Sequence, residues 1–131
     1  MGLEKSFQSS VLEYLNSLPG CKAENVSGNA NQSGRPDING CYNGRMFKIE
    51  LKSFDTGYKP SKKQELELRK WKNVGCAVGV VYTFDFLKHV FDQPWPEAAD
   101  EQLHLGDGTS WFSIPVRKVG KRGKSGRNNS N

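Results

Sequence analysis

Three charged residues near the middle of the chain have the types and spacing of a site for a hard metal ion. Asp37 is followed by Glu50 and, two residues later, by Lys52. Between the two acids lies Asn43-Gly44, the strongest two-residue signal for a β-hairpin because both turn positions need positive φ. This turn fixes the pairing of its two strands and places Asp37 directly opposite Glu50. The sequence therefore predicts two carboxylates that face each other across a hairpin.

Two opposed carboxylates call for a group of opposite charge. Directly opposed strand residues have Cβ atoms about 4.5 to 5.5 Å apart, and like charges in this arrangement destabilise a sheet. A divalent cation removes the repulsion, and Mg²⁺ fits best because it binds one or two carboxylates together with water and substrate phosphate. Without a metal, the two acids would be exposed and neutralised by Lys48, Lys52 or Arg35. A bulge or a one-residue slip near Asp37 would also remove the pairing, so the residues alone leave these alternatives open.

The strand that follows the turn separates apolar from charged side chains. Side chains alternate between the two faces of a strand, so residues 45–52 divide into two sets. One face carries Phe47, Ile49 and Leu51, and the other carries Lys48, Glu50 and Lys52. We expect the first face to be core and the second to hold the site.

Two helices are predicted on either side of this hairpin. Apolar residues recur at spacings of three or four between Leu3 and Leu18, which indicates an amphipathic helix ended by Pro19-Gly20. Ser61 lies three residues before Gln64, the spacing of a capping box, and predicts a second helix that runs to about residue 73. Gly75 marks its end.

The order of these and the following elements predicts a mixed α/β domain with a helix-flanked sheet over residues 1–117. The apolar run 76–83 does not alternate and predicts a strand covered on both faces, followed by a short helix near 85–91. Residues 92–108 show no clear period, and 111–116 are interpreted as a last edge strand broken by Pro115. From Val119 onward the composition favours disorder.

The charge is concentrated at the end of the chain. The net charge of +5 equals the five basic residues of the acid-free tail 118–131. Residues 35–72 hold ten basic against five acidic residues, whereas residues 85–107 hold one against six. Such segregation is expected if one face meets a polyanion, but a merely solubilising tail explains the terminus equally well.

Cysteine usage and hydropathy narrow the class of protein. The three cysteines are widely spaced, lack a CxxC pair and are odd in number, so neither a disulfide framework nor a zinc ribbon is indicated. We expect a reducing, cytoplasmic compartment. The longest apolar run is too short for a membrane span and no signal peptide is recognisable, so no membrane association is expected.

Several other residues are candidate ligands or candidate contacts to a polyanion. His89 and His104 are too few and too far apart for a convincing zinc site and are interpreted as surface residues. The three tryptophans are more readily core or interface residues than stacking platforms. The basic and aromatic residues near the site are better placed to contact phosphates. They are Arg35, Lys48, Tyr58, Lys59, Lys62 and Lys63.

The ordered motifs resemble a known nuclease family. Gly34-Arg35-Pro36-Asp37 followed by Ile49-Glu50-Leu51-Lys52 is similar to the PD-(D/E)xK nuclease motif. With Ser61-x-x-Gln64, and Gly75 before an apolar strand, the set resembles the VRR-NUC branch in its small stand-alone phage and bacterial form. The resemblance covers roughly residues 3–83. It implies a restriction-endonuclease-like α/β core that hydrolyses DNA phosphodiester bonds.

The resemblance also implies roles for individual residues. Asp37 and Glu50 would hold Mg²⁺ or Mn²⁺, with the Leu51 carbonyl as a further ligand. Lys52 would orient or help deprotonate the attacking water. Glu4 matches the family's first-helix acid and is a possible ligand, although an ordinary exposed glutamate explains it as well. Gln64 matches a glutamine that supports the site, but its capping role already accounts for it.

The implied substrate is branched DNA, cut by a homodimer that resembles a Holliday-junction resolvase of DNA repair and recombination. No small-molecule cofactor is implied, and the setting is a bacterial or phage-infected cytoplasm. Two alternatives stay open: a nuclease of flaps, nicks or ordinary duplexes, and a DNA-binding protein without activity. The intact set of Asp37, Glu50 and Lys52 argues against the second.

Overall fold

A computed structural model describes residues 3–26, 36–52, 60–95, 101–104 and 109–116. Within these ranges the chain forms three helices and six strands. In chain order they are α1 (Leu3–Ser17), β1 (Cys21–Asn25), β2 (Ile38–Tyr42), β3 (Arg45–Leu51), α2 (Lys62–Asn73), β4 (Ala77–Val81), α3 (Phe84–Phe91), β5 (Glu101–His104) and β6 (Trp111–Ile114). None of the described helices is long and apolar enough to cross a membrane.

The six strands form one mixed sheet in the order β1-β2-β3-β4-β6-β5. β3 and β4 are parallel, and every other neighbouring pair is antiparallel. A parallel pair needs a crossover connection, and α2 lies in the segment that links β3 to β4. The predicted α/β class with a helix-flanked sheet is therefore confirmed.

The hairpin has the predicted register. Asn43 and Gly44 adopt φ values of 51° and 85°, as a tight two-residue turn requires. Tyr42 pairs with Arg45, and the ladder continues to Ile38 opposite Ile49. Asp37 comes one residue before β2, so no slip separates it from its predicted position opposite Glu50.

The sheet is covered on both faces. On one face, α1 and α3 pack over the larger apolar core, to which Val11, Leu15, Phe47, Ile49, Leu51, Phe86, Val90, Trp95 and Phe112 contribute. On the other face, α2 lies over a smaller cluster formed by Leu68, Cys76, Val78 and Val80. All five residues of β4 are buried, which confirms the prediction of a strand covered on both faces.

Two of the strands were not predicted from the sequence, and a third was predicted at the wrong position in the sheet. β1 has a single buried residue, Ala23, and β5 lies in the segment without a clear period, so neither shows apolar alternation. The prediction that residues 111–116 form an edge strand is wrong, because β6 lies between β4 and β5. β5 supplies the outer pairing that the sequence did not reveal. Pro115 follows the last residue of β6 and so removes no donor from the strand.

The tryptophans and His89 lie close to their predicted environments. Trp95 is buried in the core among the rings of Tyr42, Phe47 and Phe91. Trp71 and Trp111 pack against the smaller cluster on the α2 face and are partly exposed. His89 is exposed. The side chain of His104 and the predicted tail 118–131 lie outside the described residues.

Candidate metal centre

The acidic pair meets at the end of β3. Asp37 Oδ2 accepts a hydrogen bond of 2.8 Å from the Leu51 N–H, and the Asp37 carbonyl accepts one of 2.9 Å from the Val26 N–H. A strand residue points its N–H and C=O to the same side, so the Leu51 carbonyl also faces the side of the strand where Asp37 lies. The carboxylates of Asp37 and Glu50 and the Leu51 carbonyl therefore belong to one edge of the hairpin.

Glu50 is a buried carboxylate with half of its hydrogen-bonding capacity unused. Its side chain is 3% exposed. Oε2 accepts a hydrogen bond of 2.8 Å from Gln64 Nε2 and lies 3.5 Å from Lys52 Nζ. Oε1 is buried and has no hydrogen-bond partner within the described part of the chain. A buried, unpaired carboxylate oxygen is costly, so it needs a proton, a water molecule or a cation.

The electrostatics of Glu50 point the same way. Burial, the larger cause, and the nearby Asp37 carboxylate together raise the pKa of this carboxyl to about 8. Lys52 acts in the opposite direction and lowers the Glu50 pKa, but it does not compensate for the other two. At neutral pH the raised pKa therefore keeps Glu50 largely protonated in the metal-free protein. A divalent cation would replace this proton and let both carboxyls ionise.

The donor set fits a hard cation such as Mg²⁺ or Mn²⁺. Such ions prefer oxygen ligands, and the edge of the hairpin offers two carboxylates and a backbone carbonyl. No cluster of three or more His, Cys, Asp or Glu side chains is found where the structure describes the chain. A Mg²⁺ ion commonly binds one or two protein carboxylates and fills the rest of its shell with water and phosphate. Zinc, which favours Cys and His, is not the better match.

Gln64 makes a hydrogen bond suited to each of the two roles that the sequence left open. Its Oε1 accepts a hydrogen bond of 2.8 Å from the Ser61 N–H, which completes the capping box at the start of α2. The other end of the same amide donates to Glu50 through Nε2. Capping and support of the site are therefore compatible, because an amide has an acceptor and a donor end.

Lys52 also lies at the centre, whereas Lys48 is placed elsewhere. Lys52 is 14% exposed and retains access to solvent beside Glu50. Lys48 is 6% exposed, and its Nζ lies 3.8 Å from the ring centroid of Trp71 beneath α2. This burial in a cation–π contact does not support the predicted contact of Lys48 with DNA phosphates.

The other predicted site residues are divided between the surface and undescribed segments. Lys62 and Lys63 are exposed in the first turn of α2, close to Gln64. Glu4 lies in α1, but its side chain is outside the described residues. Three further predicted residues lie entirely outside the described ranges, namely Arg35, Tyr58 and Lys59.

One residue near the acidic pair was missed by the sequence analysis. Asn39 lies two residues after Asp37 on the same face of the sheet and pairs with Lys48 across the hairpin. Its Oδ1 is buried without a hydrogen-bond partner in the described ranges. The alternation used for β3 would have placed Asn39 beside the site had it also been applied to β2.

Comparison with known proteins supports the family resemblance. A solved structure described as a VRR_NUC domain is similar to this chain, with a TM-score of 0.57 and 25% sequence identity. The similarity covers 70% of this chain and 97% of that one. No protein-family model and no curated protein matches the sequence. The predicted resemblance to the VRR-NUC family is confirmed in three dimensions, and the chain carries a nuclease-type domain with the restriction-endonuclease-like VRR-NUC fold.

Proposed function

We propose that the protein is a metal-dependent endodeoxyribonuclease that hydrolyses phosphodiester bonds in branched DNA. The observation that carries this proposal is the unpaired Oε1 of the buried Glu50, beside the Asp37 carboxylate and the Leu51 carbonyl. A cation bound here would satisfy the Glu50 oxygen that accepts no hydrogen bond within the described part of the chain. Mg²⁺ or Mn²⁺ would be held by these three groups, and Glu4 is a possible further ligand.

When bound, the cation would supply Lewis-acid chemistry, because it favours ionisation of a water molecule and stabilises negative charge on the phosphate. The overall reaction is hydrolysis. The oxygen of a water molecule forms a bond to phosphorus, one P–O ester bond breaks, and the leaving oxygen takes up a proton. No oxidant, reductant or organic cofactor is needed.

Side chains of this protein would supply the remaining functions. Lys52, 3.5 Å from Glu50, would orient the attacking water and neutralise charge at the scissile phosphate. Gln64 would keep Glu50 in one orientation through its 2.8 Å hydrogen bond. Asp37 is itself held by the Leu51 N–H. The set is therefore restrained before DNA arrives, as preorganised catalysis requires.

The start of α2 would guide the phosphate towards this set. The N-terminus of a helix carries a partial positive charge and favours anions. Gln64 is in the first turn of α2, so the helix N-terminus lies next to Glu50, and Lys62 and Lys63 are exposed there. In the proposal, Arg35, Tyr58 and Lys59 add phosphate contacts from the neighbouring segments.

The proposal also covers the DNA structure that the enzyme prefers and the oligomeric state of the protein. One acidic pair per chain can cut one strand, so paired cuts at a junction need two chains at a fixed spacing, which a two-fold dimer provides. We therefore propose a homodimer that acts on four-way junctions in a resolvase-like manner. A nuclease of flaps, nicks or linear duplexes is the second candidate.

A cleavage assay on four DNA forms tests the proposal. Four-way junction, flap, nicked duplex and linear duplex of shared sequence are incubated with the full chain, with Mg²⁺ or with EDTA. The proposal expects cleavage only with Mg²⁺ and fastest on the junction. Cleavage of all four forms at equal rates would contradict the branched-DNA assignment. The absence of cleavage with both Mg²⁺ and Mn²⁺ would contradict the enzyme assignment.

A further inference from the structure

A groove separate from the metal centre lies on the same face of the sheet as Glu50. It runs between α2 and β6 and has a volume of about 480 Å³. We call it the α2–β6 groove. Its lining residues are Glu65, Arg69, Lys72, Asn73, Trp111 and Ser113, with Val78 at its floor.

The strand register ties this groove to the metal centre. Glu50 pairs with Val80 on β4, and Val80 pairs with Trp111 on β6, so these three residues form one row across the sheet. Neighbouring strands are about 4.8 Å apart, which puts the Trp111 backbone roughly 10 Å from that of Glu50. At the other side of the groove, Glu65 directly follows Gln64, which contacts Glu50. One end of the groove therefore lies in the same row of the sheet as Glu50, about 10 Å away across two strands.

The walls of the groove have the chemistry of a site for a nucleic-acid strand. Arg69 is exposed, Lys72 is partly exposed, and neither has an ion pair with an acid within the described ranges. Trp111 is partly exposed on the opposite wall. Basic side chains that follow a backbone, together with an aromatic ring on which a base can stack, are the features of single-strand binding sites.

The basic residues of α2 do not all share this environment. Lys70 lies between Arg69 and Lys72 in sequence but does not line the groove, and its side chain is 76% exposed. It forms a long i,i+3 ion pair of 4.0 Å with Glu67. Lys70 thus provides a lysine on the same helix that should not contact a strand in the groove.

We propose that the α2–β6 groove binds an unpaired DNA strand next to the cleaved phosphate, with Arg69 and Lys72 on the strand's phosphates and Trp111 stacked on a base. This inference rests on the proposed nuclease function, because it assigns the groove to the substrate of the same site. The substrate class is then DNA in which one strand leaves the duplex near the cut, as at an opened branch point. Glu65 is the acidic residue among those that line the groove, so a base rather than a phosphate would lie beside it.

The test measures binding without cleavage. A labelled single-stranded oligonucleotide and a blunt duplex of the same sequence are titrated with the full chain in EDTA, and fluorescence anisotropy gives the affinities. Arg69→Glu and Lys72→Glu should each weaken single-strand binding by about tenfold or more, since they reverse a charge at a phosphate. Lys70→Glu, which makes the same change outside the groove, should weaken it by less than about threefold. The loss should be larger for the single strand than for the duplex.

Tryptophan fluorescence tests the stacking contact. Adding the oligonucleotide should quench the emission of the unmodified chain, and Trp111→Phe should remove most of this quenching. Circular dichroism establishes whether the variant folds, and the two charge reversals on the helix surface test the groove independently. Equal losses for Lys70→Glu and Arg69→Glu, or equal losses on both DNA forms, would overturn the inference. Because no cleavage is measured, a chain that binds as expected but fails to cut DNA would contradict the nuclease proposal and leave the groove assignment intact.

Discussion

Gln64 Nε2 lies 2.8 Å from Glu50 Oε2 and joins the first turn of α2 to the end of β3. The same amide accepts a hydrogen bond from Ser61 N–H, so the start of the helix and the position of the carboxylate depend on one side chain. The segment between β3 and α2 is long, yet this contact sets the distance between the two elements at the site. Capping of α2 and orientation of Glu50 are therefore coupled.

Two variants should separate capping from support of the site. Ser61→Ala removes the Oγ acceptor of the Gln64 N–H and should lower the free energy of unfolding by about 1 kcal/mol while cleavage persists. Gln64→Glu keeps an acceptor for Ser61 N–H but places a second carboxylate against Glu50. We expect this variant to cut at least about tenfold more slowly, which corresponds to about 1.4 kcal/mol. Thermal unfolding and initial cleavage rates measure the two effects, and parallel losses of activity in both variants would contradict the distinction.

The stability of the metal-free protein should fall as the pH rises. The pKa of Glu50 in the folded protein is raised from 4.5 to about 8, so folding favours the protonated carboxyl. The stabilisation is complete below the unfolded value and is lost as the pH rises through about 8. In EDTA, the melting temperature should therefore decrease between about pH 4.5 and 8, and Glu50→Gln should flatten this decrease. Added Mg²⁺ should raise the melting temperature most at the alkaline end. A variant with the pH dependence of the unmodified chain would contradict the assignment to Glu50.

The basic tail should contribute affinity that does not depend on sequence. Residues 118–131 carry five basic side chains and no acid. If all five contact phosphates, truncation after Arg117 should reduce the slope of log affinity against log salt by about 4.5, since each contact with duplex DNA contributes about 0.9. Cleavage at saturating protein should persist. Affinities measured at several salt concentrations test this, and an unchanged slope would mean that the tail does not contact DNA.

The protein should sediment as a homodimer. Twice the chain mass of 14.7 kDa is expected in analytical ultracentrifugation. Cleavage of a four-way junction should then give symmetric nicks in opposing strands, because two equivalent sites act in one complex. A monomer that cuts flaps or linear duplexes equally well would contradict the resolvase-like assignment, although the metal centre would stand.

The sequence predicted the β2–β3 hairpin and the start of α2 correctly, but it did not reveal the outer strands of the sheet. The register followed from Asn43-Gly44 alone, because a two-residue turn leaves one pairing, and the capping box was visible in Ser61 and Gln64. β1 and β5 were missed because each has at most a weak apolar pattern, and their pairing depends on neighbouring strands. The error over β6 followed from the missing β5.

Side-chain environments were predictable only where a local rule decided them. Alternation placed Lys48 on the same face as Glu50, but it gave no sign that α2 covers this face and buries Lys48 against Trp71. In the same way, the capping spacing identified Gln64 without revealing its bond to Glu50, a contact across 14 residues. Such contacts arise from the packing of a helix on a sheet, which a single sequence does not specify.

The most direct test of the metal centre is cleavage of a four-way junction by the unmodified chain and by Glu50→Gln, each with Mg²⁺ and with EDTA. Glu67→Gln is the matched control, because it makes the same change at a surface position of α2. We predict that Glu50→Gln abolishes cleavage but binds DNA as well as the unmodified chain or better, since less negative charge faces the phosphates, while Glu67→Gln cuts normally. Mg²⁺-dependent cleavage by Glu50→Gln at the rate of the unmodified chain would contradict the proposed site.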